Sequence, residues 1–293
     1  MGKVQKHISS GFRVGTPDEN AAYWSIATTM RSDVSGLNAV KDALGLGYAT
    51  ADIAYTGLNS AIKVVDQIKQ KLIAAREPGL DRSKIQGDIA ALQGQLRSTT
   101  DASSMSGQNW LKIDSTAGTN ITKELISSLA RDGAGTLSVG KMTVTLYDAG
   151  TGATLGLIDA NATASAKAGI LDKQRSMTSG ATYDILSVDI HALTDSSADL
   201  SDLDSIVSGV DSALSAMTAA ATEIGGLKAR INLQTGFIKD LTTAIQQGVS
   251  ELVDADMNEE STRLQALQTK QNLGMQALSI ANSSGQALLR LFQ

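Results

Sequence analysis

Two histidines, His7 and His191, and a run of aspartates are the residues best equipped for chemistry, and their spacing supports none. The histidines lie far apart in the sequence, and no HExxH, GxSxG, Walker or GxGxxG pattern accompanies them. No nucleophile, base and orienting group stand in a recognisable order, so catalysis is not expected. Asp199, Asp202, Asp204 and Asp211 raise calcium binding. They lack the loop spacing and the central glycine of an EF-hand, and carboxylates gathered where a helix starts are explained by its positive amino end. Neither a metal nor a cofactor is expected. Cysteine is absent, so thiol chemistry is excluded and packing must replace disulfides.

Bulk composition points the same way. Aromatic residues make up only 3% of the 293, against 42% hydrophobic in all. The apolar content is therefore aliphatic and alanine-rich, which suits thin, closely packed helices better than a ring-lined pocket. Only two prolines occur, so very long helices are allowed. The net charge is −5 with no basic stripe, which argues against nucleic acid as a partner. No apolar run approaches the roughly 20 residues of a membrane span, and no cleavable signal-peptide pattern opens the chain. Export, if it occurs, needs another route.

The elements that must position these residues are mainly helical. Thr16-Pro17-Asp18-Glu19 reads as a helix start, with Thr16 as cap, Pro17 in the first turn and Glu19 closing a capping box. From there Met30, Leu37, Leu44, Ala51, Leu58, Val65 and Leu72 recur every seventh residue, the stripe of a coiled coil or bundle helix. Val34, Tyr48, Tyr55 and Ile62 form a second row, with Lys41 and Lys69 as breaks. From Pro17 to about Arg76 such a helix is roughly 90 Å long, and Pro78-Gly79 ends it. Another helix begins near Asp81, with Ile85, Ile89, Leu92 and Leu96 on one face.

The carboxy-terminal third repeats the design. Leu203, Val210, Met217, Ile224, Ile231, Ile238, Ile245 and Leu252 again lie seven apart. Val207, Leu214, Ala221 and Val249 flank them, while Lys228, Thr235 and Thr242 interrupt the second row. After a break near Asp254-Ala255-Asp256, a last helix runs from about Asn258 and carries Leu264, Leu267, Leu278, Ala281, Leu288 and Leu291. Two long stripes need partners, and the economical solution is antiparallel packing on each other within one subunit. Residues 112–199 differ, being rich in Gly, Ser, Thr and Ala. Met142, Val144 and Leu146 alternate with polar neighbours as in a strand, and Ala149-Gly150-Thr151-Gly152 can turn that strand back into Thr154 to Ile158. Ile185 to Ile190 is a weaker strand candidate. The expected fold is mainly α: a long antiparallel helical stem from both chain ends, with a small mixed α/β domain inserted in the middle.

Two signatures then carry a family resemblance. Ile8-Ser9-Ser10-Gly11-Phe12-Arg13-Val14-Gly15, followed by Asp18-Glu19-Asn20-Ala21-Ala22, resembles the "ISSGxRV…D-NAA" motif of bacterial flagellins. Ala255 to Ser261 resembles their "DADMAEEST" junction, and Gln276 to Phe292 is similar to their "QALxxANxxxQxxLxLLR" ending. Asn20 to Asp33, "NAAYWSIATTMRSD", resembles the alphaproteobacterial branch. The resemblance covers residues 5–112 and 200–293. It implies a secreted, self-assembling structural subunit of the extracellular flagellar filament and no enzyme. It also implies other copies of the chain, an export chaperone, the filament cap and hook-junction proteins as partners. It divides the chain into an amino-terminal part of the helical core (1–111), a variable surface-exposed domain (112–199), a carboxy-terminal part of the core (200–255) and a terminal helix of the filament's inner core (256–293). Flagellins carry a further helix before "ISSG", so the last helix is expected to lack its usual partner here and to be mobile in the free subunit. A hook–filament junction protein, a flagellin-like surface binding protein and an enzyme are the rival readings. They call respectively for an adaptor-type middle region, a pocket with convergent polar groups, and a cleft of titratable residues.

One more consequence belongs to the resemblance. Flagellins sensed by the vertebrate innate receptor carry a pattern like "LQRVRELAVQ" late in the first long helix. The matching stretch is Val65 to Ala74, in which Gln67 replaces the first arginine and Lys71 a leucine.

Overall fold

The computed structural model describes residues 1–291, with side chains through residue 282. In chain order it contains α1 (Gly2–Ser10), α2 (Ala21–Ala74), α3 (Arg82–Ala102) and the short strands β1 (Ser104–Met105), β2 (Gln108–Asn109) and β3 (Lys112–Ile113). The longer strands β4 (Ile121–Arg131) and β5 (Leu137–Tyr147) follow, then β6 (Ile158–Asp159), β7 (Arg175–Ser176) and β8 (Thr182–Tyr183). The chain closes with α4 (Ser197–Val253) and α5 (Met257–Leu291). The fold is mainly helical, with a small β region in the middle. It divides into two compact units, Met1–Asn38 with Lys239–Gln293, and Ala39–Ile238.

In the larger unit α2 and α4 pack antiparallel. Lys228 bonds to Asp52, Lys69 to Asp211 and Arg76 to Asp204. Each step forward along α2 is matched by an equal step backward along α4, as a constant antiparallel register requires. The seventh-residue stripes lie inside the packing. The companion row on α2 is not the one four residues on, at Val34, Tyr48, Tyr55 and Ile62, all of which are half-buried. It is the row three residues on: Val40, Gly47, Ala54, Ala61, Ile68 and Ala75 are all buried. On α4 the same holds for Ile206, Ala213, Ala220 and Leu227. The small members of these rows, and Gly57 beside them, let neighbouring elements approach closely. A Cβ on Gly47 would stand 2.9 Å from a Leu125 methyl, and one on Gly57 would stand 2.0 Å from Ser103 Oγ.

α2 begins at Ala21, not Pro17. Asn20 caps it by accepting the Tyr23 N–H at 3.1 Å, and Thr16 to Glu19 form a separate turn. Asp81 caps α3 by accepting the Ser83 N–H. α4 ends at Val253, and Asp256 accepts the Asn258 N–H at 2.8 Å where α5 starts.

The β region corrects the sequence reading in two places. β5 pairs antiparallel with β4, which lies before it in the chain, over an 11-residue ribbon broken by bulges. The Ala149–Gly152 turn forms, but the returning segment makes only a single bridge, Tyr147 to Thr154. Ile158 instead opens β6, which runs parallel to β3. Residues 185–190 are not a strand. Leu186, Val188 and Ile190 are buried as a strand's alternate residues would be, yet the backbone of this segment is held by side chains of α3. Gln93 donates to the Ile185 and Val188 carbonyls at 3.0 Å, Gln86 accepts the Ile190 N–H at 3.0 Å, and Arg97 donates to the Leu186 carbonyl at 2.9 Å.

In the smaller unit, Val14, Ala27, Val249 and Val253 form a buried cluster with Phe12, Trp24, Met30, Ile245 and Leu252 around it. Residues 2–10 form a helix, and α1 packs on α5. The start of α5 therefore has a neighbour, with His7 on Glu260, while residues 268–282 are exposed. The side chains of Leu288 and Leu291, and Phe292, lie outside the described residues.

Candidate interaction surfaces

The stripe residues are core. In the larger unit Leu44, Leu58, Val65, Leu72, Val210, Met217, Ile224, Ile231 and Ile238 are all buried, as is Leu37 in the smaller one. Met30, Ile245 and Leu252 are half-buried against the Val14 cluster. Two of the positions that interrupt the stripes, Lys69 and Lys228, are cross-helix ties, a role with no short-range signal in the sequence. Lys228 lies over the Tyr55 and Tyr48 rings, 4.6 and 5.4 Å from their centroids, with its ammonium on Asp52. That hydrogen bond, chiefly, raises the Lys228 pKa, so the charge is secure at neutral pH and the cation–π contact persists.

The aspartates singled out in the sequence have separate tasks. Asp199 accepts the Thr194 N–H at 2.7 Å, and buried Asp202 accepts the Ser179 N–H at 2.8 Å. Asp204 and Asp211 pair with Arg76 and Lys69. No group of three or more His, Cys, Asp or Glu side chains that could hold a metal occurs among the described residues. A buried polar knot that the sequence did not reveal organises residues 159–172. Burial works to raise the Asp159 pKa, but hydrogen bonds from Ser115, Ala168 and Asn161 outweigh it and leave it lowered. Asp172 accepts the Asp159 N–H at 2.8 Å, and burial raises its own pKa. Both are consumed in holding the loop.

Residues 7, 19 and 260 meet in the smaller unit. Glu19 Oε2 accepts the Gly15 N–H at 2.8 Å, and its Oε1 lies 3.2 Å from Lys6 Nζ and 3.6 Å from His7 Nε2. The Gly15 hydrogen bond is the main reason its pKa falls from 4.5 to about 2, against a burial effect of opposite sign. A depressed carboxylate pKa contributes stability that is present above the unfolded value and is lost as pH falls through 4.5 towards about 2. A Glu19→Gln variant should therefore show a lower urea midpoint at neutral pH and a flatter decline between those two values. An acid profile identical to the parent's would count against this role.

Apolar surface is concentrated on helices. Leu233 and Phe237 on α4 are 76% and 58% exposed. On α5 every residue from 268 to 282 is exposed, including Leu273, Met275 and Leu278. No helix is long and apolar enough to cross a membrane among the described residues. Gln67 and Lys71 are exposed on α2, and Lys71 Nζ contacts Asp88 of α3 at 2.5 Å.

Buried heptad stripes drawn from both ends of one chain, and a terminal helix that leaves leucines and a methionine exposed, define a mainly helical protein of the long-stem class. Residues 1–116 match the bacterial flagellin N-terminal helical region, and residues 207–292 match the C-terminal helical region. The chain is 40% identical to Flagellin A of Rhizobium meliloti (strain 1021), over all of this chain and 94% of that one. It is 41% identical to Flagellin C of the same strain, covering 99% and 92%, and 36% identical to the flagellin of Brucella melitensis biotype 1, covering 99% and 90%. The chain belongs to the bacterial flagellin family. It is a structural subunit of the extracellular flagellar filament, and it self-polymerises rather than catalysing a reaction.

Proposed function

We propose that the exposed apolar face of α5 is the surface through which copies of this subunit hold one another in the filament. The observation that carries this reading is the fully exposed stretch 268–282 with its leucines and methionine. A lone helix of that length is marginal in water unless another surface covers it. Heterologous contacts that do not close into a ring build a helical tube, and Leu233 and Phe237 offer a second lateral contact. In this reading residues 1–111 and 200–255 form the helical core, 112–199 the variable outer domain and 256–293 the inner core. The buried stripes from Met30 to Leu72 and from Val210 to Leu252 stiffen each subunit. The export chaperone, the filament cap and hook-junction proteins are its further partners. Gln67 and Lys71 occupy the receptor-contact positions and weaken recognition.

Electron microscopy of the protein under polymerising conditions tests the assembly reading. Tubes are expected, with cross-links joining α5 of one copy to α5 of its neighbours. Closed small oligomers, or tubes whose cross-links avoid α5, would overturn it.

A further inference from the structure

A cavity of about 550 Å³ lies in the larger unit between α4 and the segment 168–175. Clefts that hold small molecules span roughly 300–1,000 Å³. Ala216, Ala219 and Ala220 of α4 give it an apolar floor, with Leu155 and Ile170 beside them. Arg175 and Lys173 bring positive charge to the same space.

Arg175 is fixed in place. Its Nη1 donates to the Lys173 carbonyl at 3.0 Å and its Nη2 to the Ile170 carbonyl at 2.8 Å. Its Cδ lies 3.0 Å from where a Cβ on Gly209 would stand, so the bare backbone at 209 lets the arginine lie against α4. A guanidinium has five N–H donors, which leaves three unused. Among the described residues no carboxylate pairs with Arg175. Burial lowers its pKa, and the opposing pull of Tyr183, Asp184 and Asp172 is smaller. A partly buried guanidinium without a counter-charge is costly, and an anion in the cavity removes that cost.

The acidic residues at the cavity do not supply the counter-charge. Asp148 accepts the Gly150 N–H at 3.0 Å and the Thr151 hydroxyl at 2.8 Å. Glu223 is exposed, and α4 carries it about 21 Å from the level of Gly209. Arg175 also borders a second cavity, whose α4 wall is the hydroxyl row Ser201, Ser205, Ser208 and Ser212. An apolar body therefore has somewhere to lie in one direction only, from the arginine towards Ala220. Gly209 and Ala216 are about 10 Å apart along the helix.

We propose that this cavity binds a medium-chain monocarboxylate, with its carboxylate on the Arg175 guanidinium and its aliphatic body along Ala216, Ala219 and Ala220. Arginine meets a carboxylate through two parallel hydrogen bonds, and one fixed cation matches one negative charge. The bound ligand ties the 168–175 segment to α4, and it does so without using α5 or the contacts that build the filament.

Titration of the full-length monomer with octanoate, followed by amide NMR, tests this. Saturable shifts are expected at residues 168–175 and 216–220. Arg175→Gln should raise the midpoint at least tenfold, the size expected for a charge-assisted hydrogen bond. Octan-1-ol has the body without the charge, and inorganic phosphate the charge without the body. Neither should saturate the cavity at the octanoate midpoint. Should Arg175→Gln not fold, Ala219→Leu changes an exposed position of α4, leaves the guanidinium in place and narrows the floor, so it should also raise the midpoint. Three results would overturn the site: octanoate shifts that avoid the cavity or fall only on the exposed leucines of 268–282, octanol or phosphate binding as tightly as octanoate, or a midpoint unchanged in a folded variant.

Discussion

A Leu273→Asp, Leu278→Asp double variant should form no filaments at concentrations where the parent chain polymerises. The two leucines are 60% and 72% exposed in the subunit, so in the assembly they have the most area to lose to a neighbour. Burying one leucine contributes about 1.5–3 kcal/mol, and forcing an unpaired carboxylate into the same contact costs more than that gain. Two such changes amount to more than about 4 kcal/mol at each subunit contact, a factor of about a thousand in affinity. Polymerisation repeats the contact at every step, so elongation stops rather than slows. The stem should be untouched, because neither position belongs to a buried stripe. Sedimentation and electron microscopy should show soluble variant beside polymerised parent, with the same helical signal in both. Normal filament yield from the double variant would remove α5 from the interface, and loss of helical signal would point to a folding defect instead.

The exposed helix and the stripes were legible because leucine, isoleucine and valine carry a strong signal at a fixed spacing. The row that closes the packing was not. Gly47, Ala54, Ala61 and Ala75 are buried because they are small, and a small side chain registers weakly on any hydrophobic scale. Reading the larger Tyr48, Tyr55 and Ile62 instead selects residues at the margin of the contact. β4 failed for a related reason. Ile121, Leu125, Ile126 and Leu129 are spaced as on a helix face, and the segment becomes a strand only by pairing with β5. Tertiary context overrides local pattern there. At residues 185–190 the alternation was real, but the amides of Gln86 and Gln93 do the work of a neighbouring strand. The His7 cluster was out of reach for another reason: Glu260 stands 253 positions away, and only the docking of α1 on α5 brings the two together.

Innate-receptor signalling by this chain should be weak, and a Gln67→Arg, Lys71→Leu double variant should raise it several hundred-fold. The positions are assigned through the family pattern late in α2. The first exchange removes a guanidinium that donates several hydrogen bonds and leaves a neutral amide. The second puts an ammonium where the pattern has an apolar anchor. Lys71 already contacts Asp88 of α3 at 2.5 Å, so a receptor that buries it must both desolvate the charge and separate it from its partner. Interface anchors of this type are worth about 2 kcal/mol or more each, so two of them amount to about 4 kcal/mol, or several hundred-fold in affinity. Both side chains are exposed, and the inner face of α2 at Val65, Ile68 and Leu72 is fully buried beside them. Neither exchange touches that face, and Asp88 is 58% exposed and stays hydrated once Lys71 is gone, so the fold should be unchanged. A reporter-cell dose–response with parent and double variant side by side reads the effect directly. A parent chain as potent as a strongly sensed flagellin would show that these positions do not govern recognition, and so would a double variant with no gain.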